Sequence, residues 1–473
     1  MTKHFLCATL LLALAAAFQI TPTRADEPAK AIERETFERR AIEAMIWSIP
    51  AVNFDRMHQA MLNSLKAKDN QIVYWSKLSD WKNQLLTPNT DVIYLVPFWD
   101  TREAGPMVLE IPPADTGLIN GTLDDAWHMP LEDVGPAGVD KGKGGKYLVL
   151  PPGYKEKPPE GYVVLRSSTY RGFALLRSLP KSGSDADVAK AVEYSKRIKL
   201  YPLSQAVNPP KTVFADATGT LYDANIPYDS TYFDSLNRFI QHEPWIERDR
   251  GYIDILKSIG IEKGEPFQPD AEQRKRLDAA AKKAHAWLNH GFEAIFTPPW
   301  HPSARWAFLT SMKFTQAAQS GFADPNIYPT DDRGILYTYI FFAPKRFEGG
   351  QFYLMTHQDK SGKPFDGNKN YHLHVPAKVP VNQYWSATVY DRETHGLVRE
   401  MSHHARASNT PGLITNKDGS VDVYFGPKAP ESKEANWVPT DPKRKFEVLF
   451  RFYGTEKALF DKTWLLPDVE EVK

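Results

Sequence analysis

The stretch QYWSATVYD (residues 383–391), answered later by KFEVLFRFYG (residues 445–454), decides how the C-terminal half is read. Branched and aromatic residues crowd both runs and neither contains a proline, which is the composition of strands packed on a pleated surface. Working outward, GILYTYIFFA (334–343), QFYLMTHQD (351–359), YHLHVP (371–376) and SVDVYFGP (420–427) share that character. Pro and Gly turns separate the six runs. The spacing predicts an antiparallel, jelly-roll-like β-sandwich over 301–473.

Toward the N-terminus, LLTPNTDVIYLVPFWDTREAGPMVLEIPP (85–113) holds strand candidates at 91–99 and 106–111, with others at 146–150, 162–168 and 173–176. A first sandwich is therefore expected over 76–183. From Ser184, placed to cap a helix whose third residue is Asp187, apolar residues recur at three and four, so 184–300 reads as a helical region. A lead segment, 26–75, carries helical spacing broken at Pro50, which predicts two short helices. The fold class is mainly β with helical insertions, an α+β chain of two jelly-roll-like antiparallel sandwiches.

Residues 1–25 have a basic start, an apolar run from Phe5 and the small-x-small triplet Thr23-Arg24-Ala25. This is the pattern of a signal peptide, so the expected location is periplasmic or secreted. No later run reaches the length of a membrane-spanning helix. Cys7, the only cysteine of the 473 residues, lies inside the segment to be removed. The mature chain would then have no disulfide, thiolate ligand or cysteine nucleophile. Lys+Arg and Asp+Glu are equal at 58 each, which provides no field to draw in nucleic acid.

Several blocks resemble known bacterial families. NQYWSATVYDRETHGLV, TNKDGSVDVYFGPKAP, NWVPT and FEVLFRFYG are similar to domain of unknown function 1214, and TPNTDVIYLVPFWDTREAGPMVLEIPP to its upstream companion, domain of unknown function 1254. The resemblance implies two jelly-roll-like domains with helical insertions and a tendency to form homo-oligomers. It implies no reaction. Where those families show paired tyrosines after the Pro-Pro block, this chain has Gly117-Leu118-Ile119-Asn120.

Candidate chemistry falls into two groups. In NYHLHVP, strand alternation sends His372 and His374 to one face and Tyr371, Leu373 and Val375 to the other. Two imidazoles on one face suit a divalent metal if a third donor joins them, and His301, His357, His395, His403 and His404 are the candidates. Against this, a cupin-like site needs a glutamate where Ala377 and Lys378 stand, and the family block runs through Tyr371 and Leu373. The alternative is a hydrogen-bonded sheet face. The second group is a ligand site. Asn89, Asp91 and Tyr94 bring an amide, a carboxylate and a phenol to a strand entry, although Asn and Asp beside Pro88 also build turns unaided. Ser386 and Tyr390 share a strand face fit to line a cavity, and Arg451, between Phe450 and Phe452, needs a partner if buried. Asp124 and Asp125 read as a solvated turn, with a paired carboxylate or calcium ligand as the alternative.

There is no Walker loop, Rossmann fingerprint, nucleophile elbow or H-E-x-x-H motif. Two functions remain in view. One is an exported, oligomeric binding or assembly protein for a small polar or aromatic ligand. The other is an enzyme acting on a small organic compound, either metal-dependent through a histidine cluster or hydrolytic through Asp91 and Tyr94.

Overall fold

The computed structural model describes residues 26–346 and 350–472; the expected signal segment, 1–25, lies outside them. One helix, Asp26–Ser64, runs unbroken through Pro50, where the sequence predicted two. Proline withholds the N–H that the Ile46 carbonyl would accept. Contacts from elsewhere brace the turn before it. Ser48 Oγ donates to Ala44 O at 2.6 Å, Tyr232 OH donates to Met45 O at 2.9 Å, and Gly334 comes so close that a Cβ there would lie 2.7 Å from Ile46 O. From Ala41 to Met61 the helix is buried on most sides, so tertiary contact holds it rather than local propensity.

The chain is mixed α+β with four principal sheets. In the first half, a six-stranded sheet has the order Phe214–Asp216, Ile72–Tyr74, Ile93–Asp100, Arg171–Ser178, Ile119–Asp125, Pro130–Val134. A four-stranded sheet has the order Lys199–Pro202, Met107–Ile111, Gly145–Leu150, Val163–Arg166. The two share a core that includes Leu95, Trp99, Leu109, Tyr147 and Leu176. In the second half, Ala307–Phe308, Gln351–Thr356, Phe446–Thr455, Val381–Asp391 and Ala405–Ala407 form a five-stranded sheet. Trp437–Pro439, Val421–Gly426, Asn370–Val375 and Glu470–Val472 form its four-stranded neighbour, over a core with Leu373, Trp385, Val423 and Phe450.

Three features depart from the sequence expectation. The sheets are not purely antiparallel: Ile72–Tyr74 with Phe214–Asp216, Gly145–Leu150 with Val163–Arg166, and Val421–Gly426 with Trp437–Pro439 run parallel, each joined by a crossover. The region after Ser184 does begin with the expected capped helix, Asp185–Ser195, in which Ser184 Oγ accepts from Asp187 N. The chain then returns strands Lys199–Pro202 and Phe214–Asp216 to the first two sheets before Tyr232–His242 and Ala271–Ala294 resume the helical pattern. GILYTYIFFA is no strand. It is the end of helix Thr330–Leu336 and a following turn, in which Tyr337 N bonds Arg333 O and Ile340 N bonds Leu336 O. Its aromatic residues looked strand-like because they are core residues, and Tyr337, Tyr339 and Phe341 are buried between the two β-units.

A third core joins everything. The long helix, the helices after Tyr232 and the 337–343 segment lie against residues of both large sheets, including Val96 and Leu175 from one and Leu449 and Tyr453 from the other. Strands Ile93–Asp100, Arg171–Ser178 and Phe446–Thr455 are thereby buried on both faces, which is why their sequences run apolar instead of alternating.

Gly334→Ala tests the contact that accommodates Pro50. The added methyl must displace the helix backbone, and a stability loss of about 1–3 kcal/mol is expected, read as a lower urea midpoint. An unchanged midpoint would show that the contact is slack.

Candidate functional site

The segment Thr87–Asp91 leaves the first β-unit and enters the second as a buried loop. A buried loop must satisfy its backbone with partners from elsewhere, and here the five-stranded sheet supplies them. Arg451 Nη2 donates to Thr87 O at 2.8 Å, and Tyr390 OH donates to Pro88 O at 2.6 Å. Thr87 N and Oγ1 donate to the His395 and Tyr339 carbonyls. Asn89 works in both directions: its Oδ1 accepts from Asp91 N at 2.8 Å, making the expected turn, while Nδ2 lies 2.9 Å from the hydroxyls of both Tyr384 and Tyr453. Asn89 N in turn donates to Tyr94 OH at 2.8 Å. Ser386 lies next to Asp91, so Asn89, Asp91, Tyr94, Ser386, Tyr390 and Arg451 all meet in one seam.

They do not face one cavity. On one side of the loop lies an aromatic cleft with roughly 730 Å³ of empty space, including its open mouth. Tyr94, Arg177, Tyr353 and Arg451 line one end, and Phe308, Phe341 and Phe342 are among its apolar walls. Both arginines are only 2% exposed. Arg451 is held by Thr388 Oγ1, Thr87 O and Tyr390 OH, all neutral. Arg177 is held less fully: among the described residues its Nε and Nη1 have no hydrogen-bond partner, and its guanidinium lies 4.3 Å from the Phe342 ring centroid and 5.6 Å from that of Tyr94. Tyr353 OH donates to Gln351 Oε1 at 2.7 Å and lies 3.3 Å from Tyr453 OH.

On the other side, Asp91 opens into a polar cleft with Asp80, Thr90, His403 and His404. Burial pushes the Asp91 carboxyl up to about 6, against the pull of Arg451, Ser386 and Arg406. Among the described residues neither its Oδ2 nor Ser386 Oγ has a partner at hydrogen-bonding geometry, so Ser386 is a neighbour of Asp91 without a well-formed bond to it. Burial lowers His404 to about 4 while its Nε2–H donates to Val398 O; His403 is lowered for the same reason and donates to Trp437 O. The hydrolytic arrangement expected of Asn89, Asp91 and Tyr94 is therefore split. Tyr94 faces the aromatic cleft, Asp91 faces the polar one, and Asn89 is the clamp between the two β-units.

His403 and His404 also stay apart from His372 and His374. The residue that meets the pair is Asp422, directly opposite His374 on the neighbouring strand. Its Oδ1 lies 2.9 Å from His372 Nε2 and 2.8 Å from His374 Nδ1, and Asn416 Nδ2 holds its other oxygen at 2.9 Å. Opposing the effect of burial, the bonds from His374, Asn416 and His372 hold Asp422 down at about 2. Asp124 and Asp125 are buried, not a solvated turn. Asp125 Oδ1 accepts from Trp127 N and Met129 N, whereas among the described residues neither oxygen of Asp124 has a partner, and burial with the charges of Asp125 and Asp133 pushes it well above the usual carboxylate range.

Sequence reasoning missed Arg177, although the signal that found Arg451 was present in FALLRSLP (173–180): a lone arginine in an apolar strand. It also missed Asp422: a histidine or a carboxylate could serve as the third donor, but the residues named for it were all histidines, and nothing in the sequence marks Asp422 as the neighbour across the strands.

Family models match in two places: Protein of unknown function (DUF1254) over residues 70–202 and Protein of unknown function (DUF1214) over 350–457. The chain carries these two domains, in that order. The DUF1254 domain contributes Thr87–Asp91, Tyr94 and Arg177 to the seam, and the DUF1214 domain contributes Tyr353, Tyr384, Ser386, Tyr390, Arg451 and Tyr453, so neither domain completes the site alone. The VPA0106 protein from Vibrio parahaemolyticus is similar in fold, at 18% identity with a TM-score of 0.55, over 92% of this chain and 100% of that one. An uncharacterized protein from Burkholderia cenocepacia matches at 11% identity and a TM-score of 0.40, over 95% and 98% of the two chains. No curated protein matches.

Asp91 gives a pH test of the seam. Its value of about 6 lies above the ordinary 3.8, so the fold retains a proton that the unfolded chain has released. Asp91 therefore costs stability progressively as pH rises from about 4 to about 6. Asp91→Asn should be the more stable protein at pH 7, with the two thermal-unfolding curves converging near pH 4; parallel curves across that window would count against a buried, proton-retaining carboxyl.

Proposed function

We propose that this protein binds a small organic anion with an aromatic or branched apolar body, held in the seam between the DUF1254 and DUF1214 domains. One observation carries the reading: Arg177, a buried guanidinium whose Nε and Nη1 have no hydrogen-bond partner among the described residues, in the lining of an aromatic cleft. Burying a charge with nothing opposite it is costly, and the cost is recovered when a ligand carboxylate supplies the missing partner. Arg451 gives the same end of the cleft a second positive charge, and the phenols of Tyr94 and Tyr353 add hydroxyls at hydrogen-bonding range of a planar anion. The phenylalanine walls take the apolar part, as in most small-molecule sites. Export to the periplasm or beyond, homo-oligomerisation and a jelly-roll-like description of the two β-units belong to this proposal. They are supported by the pattern of residues 1–25 and by the family resemblance.

A reading from a different class rests on Asp91. A carboxyl near 6 on a residue that lines the polar cleft, with one buried oxygen unpartnered among the described residues, is suited to general acid–base work on a small organic compound. The two readings separate cleanly, because loss of Asp91 would abolish turnover in the second and leave carboxylate binding in place in the first.

The test is calorimetric titration with benzoate, phenylacetate and hexanoate against their neutral amides. Carboxylates should bind and amides should not. Arg177→Met should lose at least about 30-fold in affinity while keeping or gaining stability, since it removes a buried unpaired charge. Affinity should also rise as pH falls from 7.5 toward 5.5, because protonated Asp91 no longer competes for Arg451 while the ligand stays ionised. Arg177→Met binding as well as wild type, or amides binding equally, would remove the proposal.

A further inference from the structure

The outer face of the C-terminal four-stranded sheet carries a second site, remote from the aromatic cleft. His372 and His374 project from strand Asn370–Val375 away from the core that takes Tyr371, Leu373 and Val375. Asp422 projects beside them from Val421–Gly426, between Val421 and Val423, which face the same core. One donor atom from each of the three lies within 4.8 Å of the others. We propose that His372, His374 and Asp422 bind a divalent d-block cation, zinc by preference, with an open coordination position facing solvent.

Three arguments carry it. The first is metric. Zinc bound by nitrogen and oxygen donors at about 2.0–2.1 Å places neighbouring donors about 3.3 Å apart. Here Asp422 Oδ1 stands 2.9 and 2.8 Å from the two imidazole nitrogens, so the triangle has only to open by about half an ångström along those edges to admit the ion. The second is rigidity. His372 stacks on Tyr424 at 5.2 Å between centroids, Asn416 fixes the free oxygen of Asp422, and strand pairing sets His374 opposite Asp422. Donors are thus oriented by an outer shell, as in metal sites generally. The third is chemical. Two imidazoles and one carboxylate form a borderline donor set that favours zinc, cobalt, nickel or copper over calcium and magnesium. His374 is 44% exposed, so an ion has a direct path from solvent. On the other side of His372, Glu470 is its register partner on Glu470–Val472, and paired residues share a face; its carboxylate is now held by Lys360 at 2.7 Å.

The experiment uses the full chain, without a histidine tag and stripped with chelator, titrated with Co²⁺ by visible spectroscopy and with Zn²⁺ by calorimetry. One Zn²⁺ per chain is expected, together with the intense d–d absorption of low-coordinate Co²⁺. Asp422→Asn keeps the shape of the cluster and should weaken Zn²⁺ at least about ten-fold, while the His372→Ala/His374→Ala pair should abolish binding with the circular dichroism spectrum unchanged. Asn416→Ala, which touches no ion, should weaken it by a similar ten-fold through loss of orientation. Zn²⁺ binding of equal strength and stoichiometry in wild type and the double-histidine variant would overturn the site, as would a Co²⁺ titration that yields only the pale spectrum of the hydrated ion. Calcium competing as well as zinc would also sink it, because the donor argument would then be wrong.

Discussion

A loop of five residues, buried where a loop has no backbone partners of its own, constrains most of what surrounds it. The carbonyls of Thr87 and Pro88 would each be stranded in a medium that punishes unmade hydrogen bonds. The chain meets that demand with Arg451 and Tyr390 from one strand pair, and with Asn89 reaching two more tyrosines. Once Arg451 is committed to this loop, the sheet that carries it cannot slide, the two β-units share one interface, and the cleft beside the loop inherits a buried positive charge. Fold and site follow from the same bonds.

The seam is electrically lopsided. One side presents Arg177 and Arg451 among aromatic rings; the other presents Asp91, whose carboxyl is held back from ionisation by burial. The loop separates them by little more than its own thickness. Arg451 feels both sides, because it bonds the loop and also pulls on Asp91. Proton occupancy on the polar side is thereby linked to charge available on the aromatic side, without any movement of the backbone.

How much of this was legible from sequence depends on the kind of signal. Five of the six strand runs of the C-terminal half form strands as read, and the TPNTD block, Ser386, Tyr390 and Arg451 were all found, because proline turns and a charge in an apolar strand are local features. GILYTYIFFA misled because burial among aromatic neighbours imitates strand composition. Pro50 misled because the groups that brace the helix beside it, Ser48, Tyr232 and Gly334, include two that lie far along the chain. Asp422 and the unmatched donors of Arg177 are facts about neighbours across strands, and no one-dimensional pattern contains them. His372 and His374 were correctly placed on one face, but their companion came from the facing strand and not from another histidine.

The bonds that close the seam also have a consequence for when the protein can fold. Asn89 to Tyr453 and Thr87 to Arg451 each span 364 residues of sequence. Contacts of such range are slow to form and cannot exist until Phe446–Thr455 has been made. Until that strand has emerged, Thr87 O lacks Arg451 and Asn89 lacks Tyr453. Closure of the seam is therefore a late event, whereas the core shared by the two sheets of the first half draws its buried residues from 72–200 alone and does not have to wait for it.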